Sequence, residues 1–422
     1  MITIRRGQLV AIWILILFLA GVGVGRWWNR SYVKIGERKI TVNVRARIDP
    51  KRQYILRVWD TAWPGMPDYR EYLEKAFAAF QNEHPNIRME LTLLDPEESE
   101  RRLKNGLRSG DLPDIYGSAY WIPAFDYGRQ IPAGPFLSEA EAAAYLPTVA
   151  ELGKVAGVQC ALPRWVAPLV WIGNRKLLES ADVAVTDLQT NGWTWADVAG
   201  IYGKSPGRYG FAALYAESAY PIRMVGPNVV AAETISGLDG LISARAVRRD
   251  YTTRGVRGFW NGEAPLLAGA RLWSLSRLRE KSSHPAGIDP VLLPCPAVKS
   301  RDRAWPAEAG VFVIYRNRRT QGDDQLAAAA RLAYYLSTYR EIGPWRELMV
   351  CPAAAEPFRR WRRELESGGL ELTPLAGWIE RGRLVNYDRP RRENLRMRLC
   401  HEYLTGKRPK AEIQAEMIRP KP

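Results

Sequence analysis

Between Tyr54 and Tyr116 the apolar positions switch repeatedly between the period of a strand and the period of a helix. Tyr54-Ile55-Leu56-Arg57-Val58-Trp59 is β-prone and runs into Asp60-Thr61-Ala62-Trp63-Pro64-Gly65, whose Pro-Gly predicts a loop. Tyr69, Tyr72, Leu73, Ala76, Phe77 and Phe80 then recur three or four apart, which predicts an amphipathic helix ending at Pro85. Ile87 to Leu93 alternates as a strand does, Glu97 to Leu107 reads as a helix closing on Ser109-Gly110, and Asp114-Ile115-Tyr116 is a brief third strand. Strands that alternate with helices of this length predict βαβ units around a parallel sheet, an α/β fold.

Further along, Glu139 to Tyr145 predicts a helix with Ser138 as its cap, and Thr194 sits where an N-cap belongs before Trp195. Gln325 to Leu336 reads as an Ala-rich amphipathic helix. Ser31 to Arg52 is basic and alternates only over Ile40 to Val44, which predicts a spacer with some strand character or a plain linker.

The amino terminus has a different pattern. Arg5 and Arg6 precede an uncharged run, Gly7 to Gly25, that is apolar from Leu9 on and about as long as the roughly 20 residues a bilayer core demands. Trp27 and Trp28 follow where interfacial aromatics are expected. One transmembrane helix within residues 1–30 is the expectation, with residues 31–52 as a basic juxtamembrane spacer whose cations suit anionic headgroups.

A chain of 422 residues implies two or three domains. Its formal net charge of +16 raises nucleic acid as a partner, but no zinc-finger spacing, RNP-like run or helix-turn-helix accompanies it, so no nucleic-acid binding is expected. Cys160, Cys295, Cys351 and Cys400 are too scattered for a zinc site; free buried thiols are favoured over any of three disulfide pairings. No metal or other cofactor is expected. There is no Gly-x-Ser-x-Gly elbow, Walker loop or His-Glu-x-x-His, and His84, before Pro85, reads as a turn residue. Asp60 and Glu308 are the one carboxyl pair weighed for glycoside cleavage. The chain is not expected to be an enzyme.

Several motifs carry a family resemblance. Phe80-x-x-x-His84-Pro85, the run Leu107-Arg108-Ser109-Gly110-Asp111-Leu112-Pro113-Asp114, Ala161-Leu162-Pro163, Trp193-Thr194-Trp195 and Phe259-Trp260-Asn261-Gly262 together resemble the extracellular solute-binding proteins of ABC importers. Within them the pattern is similar to the carbohydrate-binding branch of the maltose-binding protein family, over nearly all of Tyr54 to Met417. Leu19-Ala20-Gly21-Val22 resembles the lipobox of such proteins with Val22 where the lipid-bearing Cys belongs, which favours an uncleaved helix as the tether over lipid attachment or over cleavage as a signal peptide, for which Gly21-Val22-Gly23 is a poor site. The resemblance implies a two-lobed, periplasmic-binding-protein-like fold with crossing hinge strands. Residues 53–164 and 311–354 would form lobe 1, and residues 165–310 and 355–422 lobe 2.

A sugar presents apolar C–H faces rimmed by hydroxyls, so a site needs aromatic planes and a few charged or amide groups. In open α/β folds these gather beyond the carboxyl ends of strands. That rule selects Asp60, Trp63, Tyr120, Trp121, Arg164, Trp165, Arg271, Trp273, Trp305 and Glu308 as ligand-binding candidates, with Trp171, Trp195 and Trp260 assigned to cores. The implied function is capture of a carbohydrate between the lobes and presentation of the closed form to ABC permease subunits, with the body on the extracytoplasmic side of the cell membrane. A surface sensor or structural adaptor is the alternative role, and an acidic sugar or phosphorylated polyol the alternative ligand.

Overall fold

The computed structural model describes residues 32–62, 66, 68–118, 123–203, 214–216, 239, 259–262, 264–270, 288–296, 304–386, 399, 402–403 and 407–418. β1 (Tyr32–Ile35) and β2 (Arg38–Thr41) form an antiparallel hairpin. β3 (Tyr54–Thr61), α1 (Tyr69–Glu83), β4 (Ile87–Leu94), α2 (Pro96–Ser109) and β5 (Ile115–Ser118) then follow in the predicted order, with β3 parallel to both β4 and β5. Local chemistry explains the boundaries of α2. The Asp95 carboxylate accepts the Glu98 N–H at 2.8 Å and Pro96 opens the helix, whereas Gly110 closes it at φ +84°, a backbone that side-chain-bearing residues resist.

β6 (Gln130–Ile131) is short, and β7 (Lys154–Val155) pairs only with β8 (Val158–Gln159). β9 (Leu162–Pro168) is buried throughout. One residue later β10 (Val170–Asn174) begins in a different sheet, where it lies with β11 (Leu214–Ala216), β12 (Leu266–Ala270) and β13 (Pro290–Leu293) in the order β11-β12-β10-β13. β14 (Ala304–Tyr315) returns to the first sheet, and β15 (Cys351–Pro352) and β16 (Arg383–Asn386) complete it. That sheet has eight strands, ordered β15-β9-β14-β5-β3-β4, with β6 and β16 also on β14. The chain therefore leaves the larger sheet through β9 and re-enters it through β14, which pair antiparallel side by side. Gly310 faces Trp165 in that register, and any Cβ there would overlap the indole.

The larger core packs α1 and α4 (Asp323–Thr338) on the eight-stranded sheet, α4 burying the Ala-rich face its period predicts. Faces of the smaller sheet divide by strand alternation. Ile172, Leu267 and Leu292 join the larger core, whereas Trp171, Leu266 and Leu293 meet Val198, Ile201 and Tyr202 of α3 (Trp195–Gly203) in a second one. Trp171, Trp195 and Trp260 are all buried. Thr194 caps α3 reciprocally: its Oγ1 accepts the Asp197 N–H at 3.3 Å, and Asp197 Oδ2 accepts the Thr194 N–H at 2.7 Å. α5 (Ala355–Ser367) and α6 (Thr373–Arg381) bury Phe358, Trp361, Leu375 and Trp378 in the larger core.

The expected spacer is folded. Ile35, Ile40 and Val42 are buried in the larger core, the Asn43 N–H donates to Asp323 Oδ2 at 2.6 Å, and Arg316 Nη1 donates to the Thr41 carbonyl at 3.0 Å. Three spaced apolar residues in a basic run are a weak signal by themselves; the larger core they join is what orders them. Cys160, Cys295 and Cys351 are free thiols; burial pushes Cys160 and Cys295 up to about 12, which disfavours the thiolate form. Cys400 lies outside the described residues. Among the described residues no helix is long and apolar enough to cross a membrane; the run Gly7 to Gly25 lies outside them.

Candidate functional site at the carboxyl edge of the larger sheet

The chain reaches the carboxyl edge of the larger sheet at the end of β3, and Asp60 there has no accessible surface. It is bound from three directions. Arg164, on β9, donates from Nη1 to Oδ2 at 2.5 Å and from Nη2 to Oδ1 at 2.8 Å, a bidentate fork. The Tyr69 hydroxyl, in the first turn of α1, donates to Oδ2 at 2.7 Å and accepts from Arg164 Nη1 at 2.5 Å. The Thr61 N–H donates to Oδ1 at 2.7 Å. The site exists because three elements converge and one leaves room: a Cβ at Gly117, on β5, would overlap the Asp60 carboxylate.

Electrostatics follow from the burial. Desolvation opposes the charge on Arg164, but the Asp60 carboxylate and the Tyr69 oxygen outweigh it and hold the guanidinium above its ordinary pKa. Burial pushes the Tyr69 hydroxyl well above its ordinary value, so it stays a neutral donor. The Arg164 Cζ also lies 4.8 Å from the centre of the Phe312 ring. Asp60 and Arg164 thus neutralise each other in a dry site.

Aromatic rings surround this pair. Tyr69 stacks on Tyr72 at 6.1 Å, and Trp345 meets both edge-on at 6.5 and 5.7 Å. Half-buried Tyr339 closes on Tyr72 at 5.7 Å. Elsewhere on the sheet, Trp305 is buried and stacks on Trp378 with centroids 4.9 Å apart, and Trp165 is buried across from Gly310. Glu308 is buried opposite Ala167 in the β9 register.

Of the ten sequence-selected residues, the structure joins Asp60 to Arg164 and places Trp165, Trp305 and Glu308 on the two strands that connect the sheets, β9 and β14. All five are buried. Trp63, Tyr120, Trp121, Arg271 and Trp273 lie outside the described residues. Sequence reading missed Tyr69, Gly117, Trp345 and Trp378. Tyr69 was visible only as a member of an apolar helix stripe; its hydroxyl was the one unused signal. Both carboxyls of the pair weighed for glycoside cleavage are buried and Asp60 is ion-paired, which suits neither a nucleophile nor a proton donor at a sugar. Among the described residues no cluster of His, Cys, Asp and Glu is placed to hold a metal ion.

Two sheets linked by adjacent strands running in opposite directions, with polar groups at a carboxyl edge, define the two-lobed, periplasmic-binding-protein-like α/β fold. Solved structures agree. UspC of M. tuberculosis matches with a TM-score of 0.66 at 16% identity, covering 86% of this chain and 98% of its own. The cyclic alpha-maltosyl-1,6-maltose binding protein of Arthrobacter globiformis matches at 0.65 and 14%, covering 86% and 97%. The galacto-N-biose-/lacto-N-biose I-binding protein of the ABC transporter from Bifidobacterium longum matches at 0.62 and 14%, covering 87% and 96%. At these identities the likeness is one of fold. No protein-family model matches the chain. No curated protein matches it in sequence either.

Proposed function

We propose that the chain is the substrate-binding component of an ABC importer, taking a carbohydrate between its lobes at the carboxyl edge of the larger sheet. The observation that carries this reading is the paired crossing of β9 and β14 between two sheets, in a fold shared with the sugar-binding proteins named above. Ligand that touches both lobes favours the closed arrangement by its differential affinity, and a permease reads that shape. Because Asp60 cancels the charge of Arg164, that arginine offers no free cation to an acidic sugar, and a neutral oligosaccharide is the preferred ligand. Lobes formed by residues 53–164 with 311–354 and by residues 165–310 with 355–422, an uncleaved membrane anchor within residues 1–30 and an extracytoplasmic body complete the proposal.

Calorimetric titration and thermal shift of the full chain against maltose, a cyclic maltotetraose, lacto-N-biose and glucuronate test it. A native-state ligand at 100 times its Kd stabilises by about 2.7 kcal/mol, which raises the unfolding midpoint by several degrees. A flat response to every sugar would sink the carbohydrate reading.

One observation favours the second role, a surface sensor or adaptor. Residues 32–52 are folded onto the first lobe, so the body lacks the long loose leash that suits delivery to a membrane pore. Uptake of the bound sugar by cells from which this chain is deleted separates the two roles, since only an importer's uptake depends on it.

A further inference from the structure

The hairpin β1–β2 is packed against the larger core. Ile35, Ile40 and Val42 are buried beneath it, and hydrogen bonds from Asn43 and Arg316 tie it to α4 and to the end of β14. Only six residues, Arg26 to Ser31, separate Tyr32 from the apolar run ending at Gly25. At full stretch that link spans about 25 Å. A bilayer that holds the apolar run therefore lies within reach of the hairpin whatever the link does.

The outward side of this element has the chemistry of a bilayer interface. Tyr32 is 56% exposed, with the Lys39 ammonium 5.0 Å from its ring centre. Lys34, Arg38, Lys39, Arg45, Arg47 and Lys51 are all exposed. Among the described residues only Arg38 of these six pairs with an acid, Asp126 at 2.5 Å. An exposed aromatic ring with a lysine ammonium over its face, followed by a segment of exposed cations and lying a short link from the apolar run, matches what anionic headgroups attract.

We infer that β1–β2 and the basic segment after it form a docking surface for the anionic lipids of the membrane in which the chain is anchored. The inference rests on the anchored reading above and adds an orientation to it. The surface lies at the amino edge of the larger sheet: the Asp49 N–H donates to the Tyr54 hydroxyl at 2.9 Å, and Asn86, just before β4, donates to the carbonyls of Asp49 and Arg52 at 3.0 and 2.8 Å. Asp60 stands at the opposite end of the same strand. A docked lobe turns its carboxyl edge away from the bilayer, so hand-over of ligand to a permease requires the surface to let go.

The test uses the full chain in nanodiscs of phosphatidylcholine alone or with about 30% phosphatidylglycerol, read by amide hydrogen exchange over residues 32–47. Docking slows exchange at the hairpin tip, Gly36 and Glu37, on the anionic discs only, and 0.5 M salt, where the Debye length falls to roughly 4 Å, abolishes the difference. Each basic side chain removed in the series Lys34→Ser, Lys39→Ser, Arg45→Ser weakens docking about fivefold, and the triple variant exchanges equally on both lipids. Equal exchange of the unmodified chain on both discs, while it resists carbonate extraction from native membranes, overturns the docking surface and leaves the anchor standing. Release by carbonate overturns both.

Discussion

The two ends of β3 hold ion pairs of opposite kinds. At the carboxyl end, Asp60 and Arg164 are 0% and 1% exposed and share a hydroxyl with Tyr69. At the amino end, Arg52 pairs with Asp324 at 2.6 Å with both side chains partly in solvent, and Arg57 meets a largely exposed Asp111 at 3.1 Å. An open pocket of about 250 Å³ lies there, lined in part by Arg52, Arg57, Glu90 and Arg319. Arginine–aspartate pairs at the two ends of one strand thus differ in what they do. A wet pair gains little because water already solvates both partners; a dry pair is mutually obligatory, since removing one member strands the other. The carboxyl end is a welded joint between β3, α1 and the crossing strand β9, and the amino end is a soft surface.

The largest expected effect tests the joint. Asp60→Ala strands the buried Arg164 guanidinium and should lower stability by about 3–5 kcal/mol, read as a shift of the urea midpoint; a loss as small as that of an exposed pair would erase the contrast between the two ends. Next, Gly117→Ala pushes a methyl into the space of the Asp60 carboxylate and should cost about 1–3 kcal/mol. Combined with Asp60→Ala it should cost less than the sum, because the methyl then enters vacated space. A double-mutant cycle that proved additive would remove Gly117 from the account.

At the amino end, Arg52→Ala should cost at most about 1 kcal/mol, and the difference should shrink as salt screens the exposed pair. The smallest effect is a pH dependence. Burial lowers the pKa of His84 from its ordinary 6.5, so the fold resists a proton that the unfolded chain accepts. Its contribution is complete above 6.5 and is lost as pH falls through the lowered folded value. Denaturant midpoints from pH 7.5 to 5 should fall slightly more for the parent than for His84→Gln; identical slopes would remove the imidazole as the cause.

Much of the fold was legible because it rests on local rules. The strand and helix periods from Tyr54 to Ser109, the Ser138 and Thr194 caps and the Ala-rich α4 each depend on residues within a few positions of one another. The Ser138 hydroxyl accepts the Glu141 N–H at 3.3 Å, as its neighbours alone predict. The candidate site was legible only in part. Asp60 and Arg164 were both selected for their positions at strand ends, but as two separate groups offered to a ligand. Nothing local says that two residues 104 positions apart meet. Trp305 was selected without the Trp378 plane it lies on, and the basic run 31–52 without the larger core that its apolar residues join.

By itself the sequence determined the order of strands and helices, the βαβ opening and an apolar amino-terminal run, because periodicity and capping act over a few residues. Only the tertiary structure decided which charges cancel, which tryptophans face each other and that the segment after the apolar run is part of the lobe. Each of these depends on residues far apart in the chain sharing one dry volume, where a carboxylate must find its guanidinium or carry the full penalty of lost water.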